Sequence, residues 1–156
     1  MEKKKITDSY TEQVQLLTQA NMNGYNRLFG GQLMEWIDVV AAIVARRHSG
    51  RNVTTVVVDT LQFKEPAYPN ECLVLTGKLT YVGTTSMEVM VKTYVEELDG
   101  SKELINKAYV VMVALDENEK PVKVPGLIIE TQKEQEAWER GERRNRLRKK
   151  RRRENY

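Results

Sequence analysis

The sequence predicts an α+β fold in which a curved antiparallel sheet wraps around one long central helix. Three observations predict it. An apolar helical pattern runs from Gly30-Gly31 to Arg47 or His48. Four long, β-branched stretches follow it, separated by tight turns. The only other helix-prone stretch, Ile128–Lys150, has few apolar residues and reads as a surface helix.

Each element has a local reason. Tyr10–Gln19 alternates weakly and reads as a short or edge strand. Three Asn and a Gly make Asn21–Phe29 a loop. The helix then begins at the double glycine. Arg46, Arg47 and His48 suit its negative end, where His48 reads as a capping cation, and Ser49-Gly50 stops it. Its apolar residues fall nearly all round, so it should be wrapped on most sides. Val53–Phe63 is the first long strand and is closed by Pro66. In Cys72–Val82, alternation puts Leu73, Leu75, Leu79 and Tyr81 on one face, with Gly77 as a bend or bulge. In Ser86–Leu98 the shared face is Met87, Val89, Val91, Thr93 and Val95. Asp99-Gly100 turns the chain into Glu103–Leu115, and Pro121 and Pro125 end the sheet. One helix cannot cover both faces of such strands, so pairing of sheet edges between two copies is expected.

These lengths suit a main domain over 1–127 and a polar helix with a basic tail over 128–156. Glu139–Tyr156 holds ten basic and three acidic residues, net +7; the rest holds 15 basic and 19 acidic, net −4. The sequence pI of 8.9 therefore describes the tail. Cys72 is the only cysteine and reads as a small buried hydrophobe, so an intrachain disulfide and a thiolate cluster are excluded. His48 is the only histidine, so a multi-His metal site is excluded too. With neither a signal-peptide pattern nor an apolar run of membrane length, a reduced, cytoplasmic setting is expected.

The chemistry concentrates around the helix start. From Leu33 to Ala45 the only charged residues are Glu35 and Asp38. An ionised carboxylate in apolar surroundings needs a partner or a task. Gly30-Gly31 lets a ligand approach the backbone and leaves unpaired N–H groups at a helix start. A base and an anion-binding helix terminus on one element are parts of an acyl-transfer site. Structural readings stand beside these. Asp38 could pair with an Arg or cap backbone, Asn23 could be a turn residue, and Gly31 could merely start the helix. Glu35 reads as a solvated or interface residue.

Asn23, then Phe29-Gly30-Gly31, then Asp38 seven residues beyond Gly31, resembles the signature of the acyl-CoA thioesterases of the hotdog superfamily. The likeness is strongest to the short, single-hotdog bacterial hydrolases related to the cytosolic long-chain acyl-CoA hydrolase. Val53–Asp59, Phe63–Pro66 and Val82–Val89 extend it, over roughly Val14 to Pro125. It departs at Asn26, where the group usually has glycine; Asn tolerates left-handed backbone well. The resemblance implies a hotdog fold and hydrolysis of acyl-CoA to free acid and CoA. Asp38 would be base or nucleophile, Gly31 N–H the oxyanion hole, and Asn23 the residue positioning water or polarising the thioester oxygen. Gly30 would permit close approach, and Thr55 would line the site. Phe63, Gly83, Thr84 and Ser86 would hold the pantetheine and thioester end. Thr55 and these four also have packing or turn readings. The resemblance further implies that Asn23 and Asp38 come from different protomers of a homodimer, with dimers assembling as a trimer of dimers. No metal or redox cofactor is implied, CoA entering only with the substrate. Two alternatives remain open: an acyl-CoA sensor without turnover, and a nucleic-acid-associated protein acting through its tail.

Overall fold

The long helix forms where the apolar pattern places it. In the computed structural model, which describes residues 1–155, α1 spans Gly30–Ser49. It ends at Gly50, whose left-handed backbone (φ 67°) brings its N–H to Arg46 O at 2.8 Å. Tyr156, the last residue of the expected tail, lies outside the described residues.

Five strands form one antiparallel sheet in the order β2-β4-β5-β6-β3. They are β2 (Thr11–Leu16), β3 (Asn52–Phe63), β4 (Cys72–Val82), β5 (Ser86–Glu96) and β6 (Lys102–Leu115). Two short strands, β1 (Lys4–Lys5) and β7 (Leu127–Ile128), pair in parallel beside it. Helix α2 covers Gln132–Arg153. A five-stranded antiparallel sheet on one long helix is a hotdog fold, as expected.

α1 lies on the front face. Leu33, Ile37, Val40, Ala41, Val44 and Ala45 pack there against Leu73, Leu75, Val89, Val91 and Met112. Gly77 is not the bend the sequence suggested. It is the closest approach of sheet to helix, since a Cβ there would meet Val40 Cγ1 at 2.7 Å and Val44 Cγ2 at 3.0 Å. The irregularity in β4 lies instead between Leu79 and Tyr81. It turns Tyr81 to the back face, where its ring meets Trp138 of α2 at 4.5 Å. Tyr81 therefore does not share a face with Leu79; one extra residue in a strand reverses the alternation beyond it.

Other expectations need correction. Within one chain α1 is wrapped on one side only: Met34 and Val39 are each 43% exposed. Cys72 is half-buried rather than buried. His48 is no exposed capping cation. It is buried, with Nε2 2.7 Å from Pro125 O, and burial pulls its pKa below the usual histidine value. Nor is the basic segment wholly solvated. Arg144 Nη2 and Nε lie 2.7 and 3.0 Å from the Glu88 carboxylate, and Arg148 Nη1 lies 3.1 Å from it. Glu88 is only 1% exposed and also accepts from Thr80 Oγ1 at 2.6 Å. Arg148 reaches Asp59 as well, at 3.3 Å. α2 is thus bound to the back face by buried ion pairs, because its own apolar residues are too few to do so. No helix among the described residues is long and apolar enough to cross a membrane.

Candidate active site

Asp38 sits half-buried two turns into α1, on the side that the sheet leaves open. Thr55 approaches it from β3, one of the sheet's two edge strands. Its hydroxyl donates to Asp38 Oδ1 at 2.6 Å, and its Oγ1 lies 3.4 Å from Met112 Sδ. A register shift between Thr55 and Val57 marks the strand just beyond this contact. The pair orients one carboxylate oxygen and leaves Oδ2 without a hydrogen-bond partner among the described residues.

Asn23 lies elsewhere. Its Oδ1 accepts from Tyr25 N–H at 2.8 Å and Arg27 N–H at 3.2 Å, and its own N–H donates to Arg27 O at 2.7 Å. The loop closes through Asn26 in left-handed conformation (φ 57°), at the position where glycine is usual. With Oδ1 occupied, Nδ2 is left as a donor without an acceptor among the described residues. Asn23 lines a cleft of about 350 Å³ with Gly30, Leu33, Phe63 and Pro66. Phe63 Cζ stands 3.4 Å from where a Gly30 Cβ would be, so the ring lies against the helix start. Gly31 is exposed, and a Cβ there would meet the Phe29 ring at 2.7 Å. Neither Gly30 nor Gly31 N–H has an acceptor among the described residues, as helix geometry requires of first-turn donors.

Gly83, Thr84 and Ser86 form a third group, in the turn between β4 and β5. Gly83 N–H donates to Ser86 O at 2.9 Å, while Thr84 O accepts from Val124 N–H at 2.9 Å. These residues line a cleft of about 920 Å³ with the Val56–Asp59 edge of β3. Its other wall is α2, through Asn145, Arg148, Lys149, Arg151 and Arg152. The three groups of predicted residues are therefore in three places. Gly31 and Asp38 are seven residues apart on one helix, which separates them by about 10 Å along its axis. One carbonyl group cannot touch both. Among the described residues, no three His, Cys, Asp or Glu converge as a metal site.

Sequence reasoning did not single out Glu88 or its arginines. A Glu in a strand alternating against Met87 and Val89 looks solvated; only the seating of α2 buries it.

The fold and this arrangement define a hotdog protein with a half-buried carboxylate on its central helix and a free terminus at the start of that helix. The thioesterase superfamily model matches residues 25–100. A Bacillus subtilis protein named as an uncharacterised acyl-CoA thioester hydrolase is 43% identical over 113 residues, 72% of this chain and 66% of its own length. A similarly named Zymomonas mobilis protein is 37% identical over 109 residues, 68% of this chain and 72% of its own. The acyl-CoA hydrolase of Staphylococcus aureus, solved with butyryl-CoA and CoA, superposes with a TM-score of 0.92 at 31% identity, covering 99% of this chain and 94% of that one. A hexameric acyl-CoA thioesterase superposes equally well, at 34% identity and 97% coverage of both chains. The chain belongs to the thioesterase superfamily, among relatives named as acyl-CoA thioester hydrolases. The S. aureus enzyme has also been solved with single alanine substitutions of an asparagine, an aspartate and a threonine. Those residues lie 15 and 17 positions apart, the separations of Asn23, Asp38 and Thr55.

Proposed function

We propose that this chain hydrolyses acyl-CoA to free acid and CoA at composite sites in a dimer. Asp38 and Thr55 of one protomer face Asn23 and Gly31 of the other. One observation carries the reading. The Thr55–Asp38 pair stands on an open helix face, with the same spacing to Asn23 as the three residues substituted in the S. aureus hydrolase.

Asp38 Oδ2 takes a proton from water as that water attacks the thioester carbonyl, or attacks the carbonyl itself to form a mixed anhydride that water then hydrolyses, releasing the free acid and a proton and restoring the carboxylate. Negative charge gathers on the carbonyl oxygen and falls on the Gly31 N–H at the positive end of α1. Asn23 Nδ2 positions the water or the carbonyl. CoA leaves as its thiolate, which takes up the proton. Gly30 gives the acyl group access, with Phe63 as a wall. Gly83, Thr84 and Ser86 receive the pantetheine arm, and Lys149 and Arg152 in the same cleft meet the CoA phosphates. No metal or redox group takes part.

Exposed Val56, Val57 and Val58 on β3 support that edge as the dimer contact. Hexameric relatives support a trimer of such dimers. A cytoplasmic setting accords with the lone, unpaired Cys72.

Complementation tests the composite site. Asn23→Ala and Asp38→Ala proteins are each inactive. Unfolded and refolded together, they form mixed dimers with one intact site of two, restoring about a quarter of wild-type turnover on random assortment. No recovery, with mixed dimers verified by mass, would place each site within one protomer. Absence of turnover by wild type across acyl-CoAs of graded length, with CoA still bound, would mean a sensor instead.

A further inference from the structure

The back face of the sheet carries a row of lysines on three neighbouring strands. Lys78 on β4, Lys92 on β5 and Lys107 on β6 occupy neighbouring strands, and Lys92 is directly opposite Lys107 in the β5–β6 register. Like charges facing across a ladder destabilise it. None of the three forms an ion pair among the described residues. Lys133 and Arg140 of α2 close over them, making a cleft of about 200 Å³. Its only carboxylate, Glu134, is turned to the helix start, accepting from Glu130 N–H at 2.8 Å. Thr131, the N-cap of α2, also lines the cleft, so the positive end of that helix adds to the field. Burial and the nearby Lys78, Lys107 and Lys133 hold the Lys92 ammonium below the usual lysine pKa. Beyond Lys78 and Lys92 the cleft continues into a hollow of about 400 Å³, where Tyr10, Tyr94 and Lys102 stand with one carboxylate, Glu12, toward which the Tyr10 hydroxyl points at 3.5 Å.

We propose that this cleft is a second binding site, for a small polyphosphate whose oxyanions are held by Lys78, Lys92, Lys107, Lys133 and Arg140. It lies on the opposite face of the sheet from Asp38 and Thr55, and takes ligand independently of thioester cleavage. An anion there relieves the repulsion that the bare cluster suffers. The enclosed volume suits a short phosphate chain rather than a protein segment. With the tyrosine-lined hollow, the combined space falls in the range of small-ligand sites, roughly 300–1,000 Å³, so an attached nucleoside is accommodated beside the phosphates.

Calorimetric titration of the full chain with tripolyphosphate, ADP, ATP and adenosine tests this, without reference to turnover. Wild type binds tripolyphosphate, and Lys92→Gln/Lys107→Gln weakens that binding at least about tenfold. Without ligand the double variant melts no lower than wild type, because a like-charge pair has gone; Lys78→Gln serves as an independent variant with the same expected loss. Lys149→Gln/Arg152→Gln, in the thioester cleft, retains the binding. ADP or ATP binding more than about tenfold tighter than tripolyphosphate, with adenosine alone silent, identifies a nucleotide as the source. Equal affinities identify the phosphate chain itself. The proposal is overturned if wild type binds none of these at physiological salt, if the lysine variants bind as wild type does, or if only the Lys149/Arg152 variant loses binding.

Discussion

Thr55 donates its hydroxyl hydrogen bond to Asp38 at 2.6 Å, tying the open side of α1 to the edge strand β3. That bond fixes one carboxylate oxygen and leaves the other without a partner among the described residues. Asp38→Asn should lower kcat by about 10²–10⁴, the contribution of a positioned base, while CoA binding persists. Thr55→Ala should cost about ten- to a hundredfold in kcat, the worth of a hydrogen bond to a charged group. Thr55→Ser should recover most of it. Steady-state kinetics with parallel CoA titration separates these outcomes; a KM effect alone would make Thr55 a binding residue.

Glu88 is the point where α2 is secured. Truncating it in Glu88→Ala leaves Arg144 and Arg148 without their shared buried partner. Denaturant unfolding should show a loss of about 3–5 kcal/mol. Glu88→Gln keeps the bond from Thr80 and should cost less. A change near zero for Glu88→Ala would mean that α2 is held by Tyr81–Trp138 packing instead.

Gly77 sets the distance between sheet and helix. In Gly77→Ala the new methyl meets Val40 and Val44, and overpacking of this kind costs about 1–3 kcal/mol. Thermal unfolding should show a lowered Tm. Unchanged stability would require that α1 moves away freely.

His48 gives the fold a defined acid sensitivity. Its native pKa is held below the ordinary 6.5 by burial, so the folded state keeps the imidazole neutral while the unfolded chain protonates first. The contribution is complete above about pH 6.5 and is lost as pH falls from there through the lower native value. Melting temperatures between pH 7.5 and 5 should fall more steeply for wild type than for His48→Gln. Parallel curves would assign the acid loss to carboxylates alone.

Much of the fold was legible because local chemistry and tertiary packing agree. The glycine stop at Gly50, the Asp99-Gly100 turn and the β-branched runs each specify their element without help. Misreadings fell where tertiary packing overrides a local pattern. The β4 irregularity, which no residue type announces, turned Tyr81 to the back face. Gly77 looked like a bend because sequence does not show what presses against a strand. Arg144 and Arg148 sit in a segment so basic that solvation was the natural reading. For the candidate site, Asp38 stood out as a charge in an apolar helix, whereas Thr55 differs from any strand threonine only by its neighbour across the fold.

By itself the sequence determined the α+β class, the helix that begins at Gly30, the four long strands and the family, since periodicity, turn residues and a spaced motif are carried by neighbours along the chain. Only the tertiary structure decided that Thr55 meets Asp38, that Asn23 is held in a separate cleft, that Glu88 is buried beneath two arginines, and that Lys78, Lys92 and Lys107 share one face. Those are contacts between residues far apart in sequence, set by strand register and by which face each helix covers.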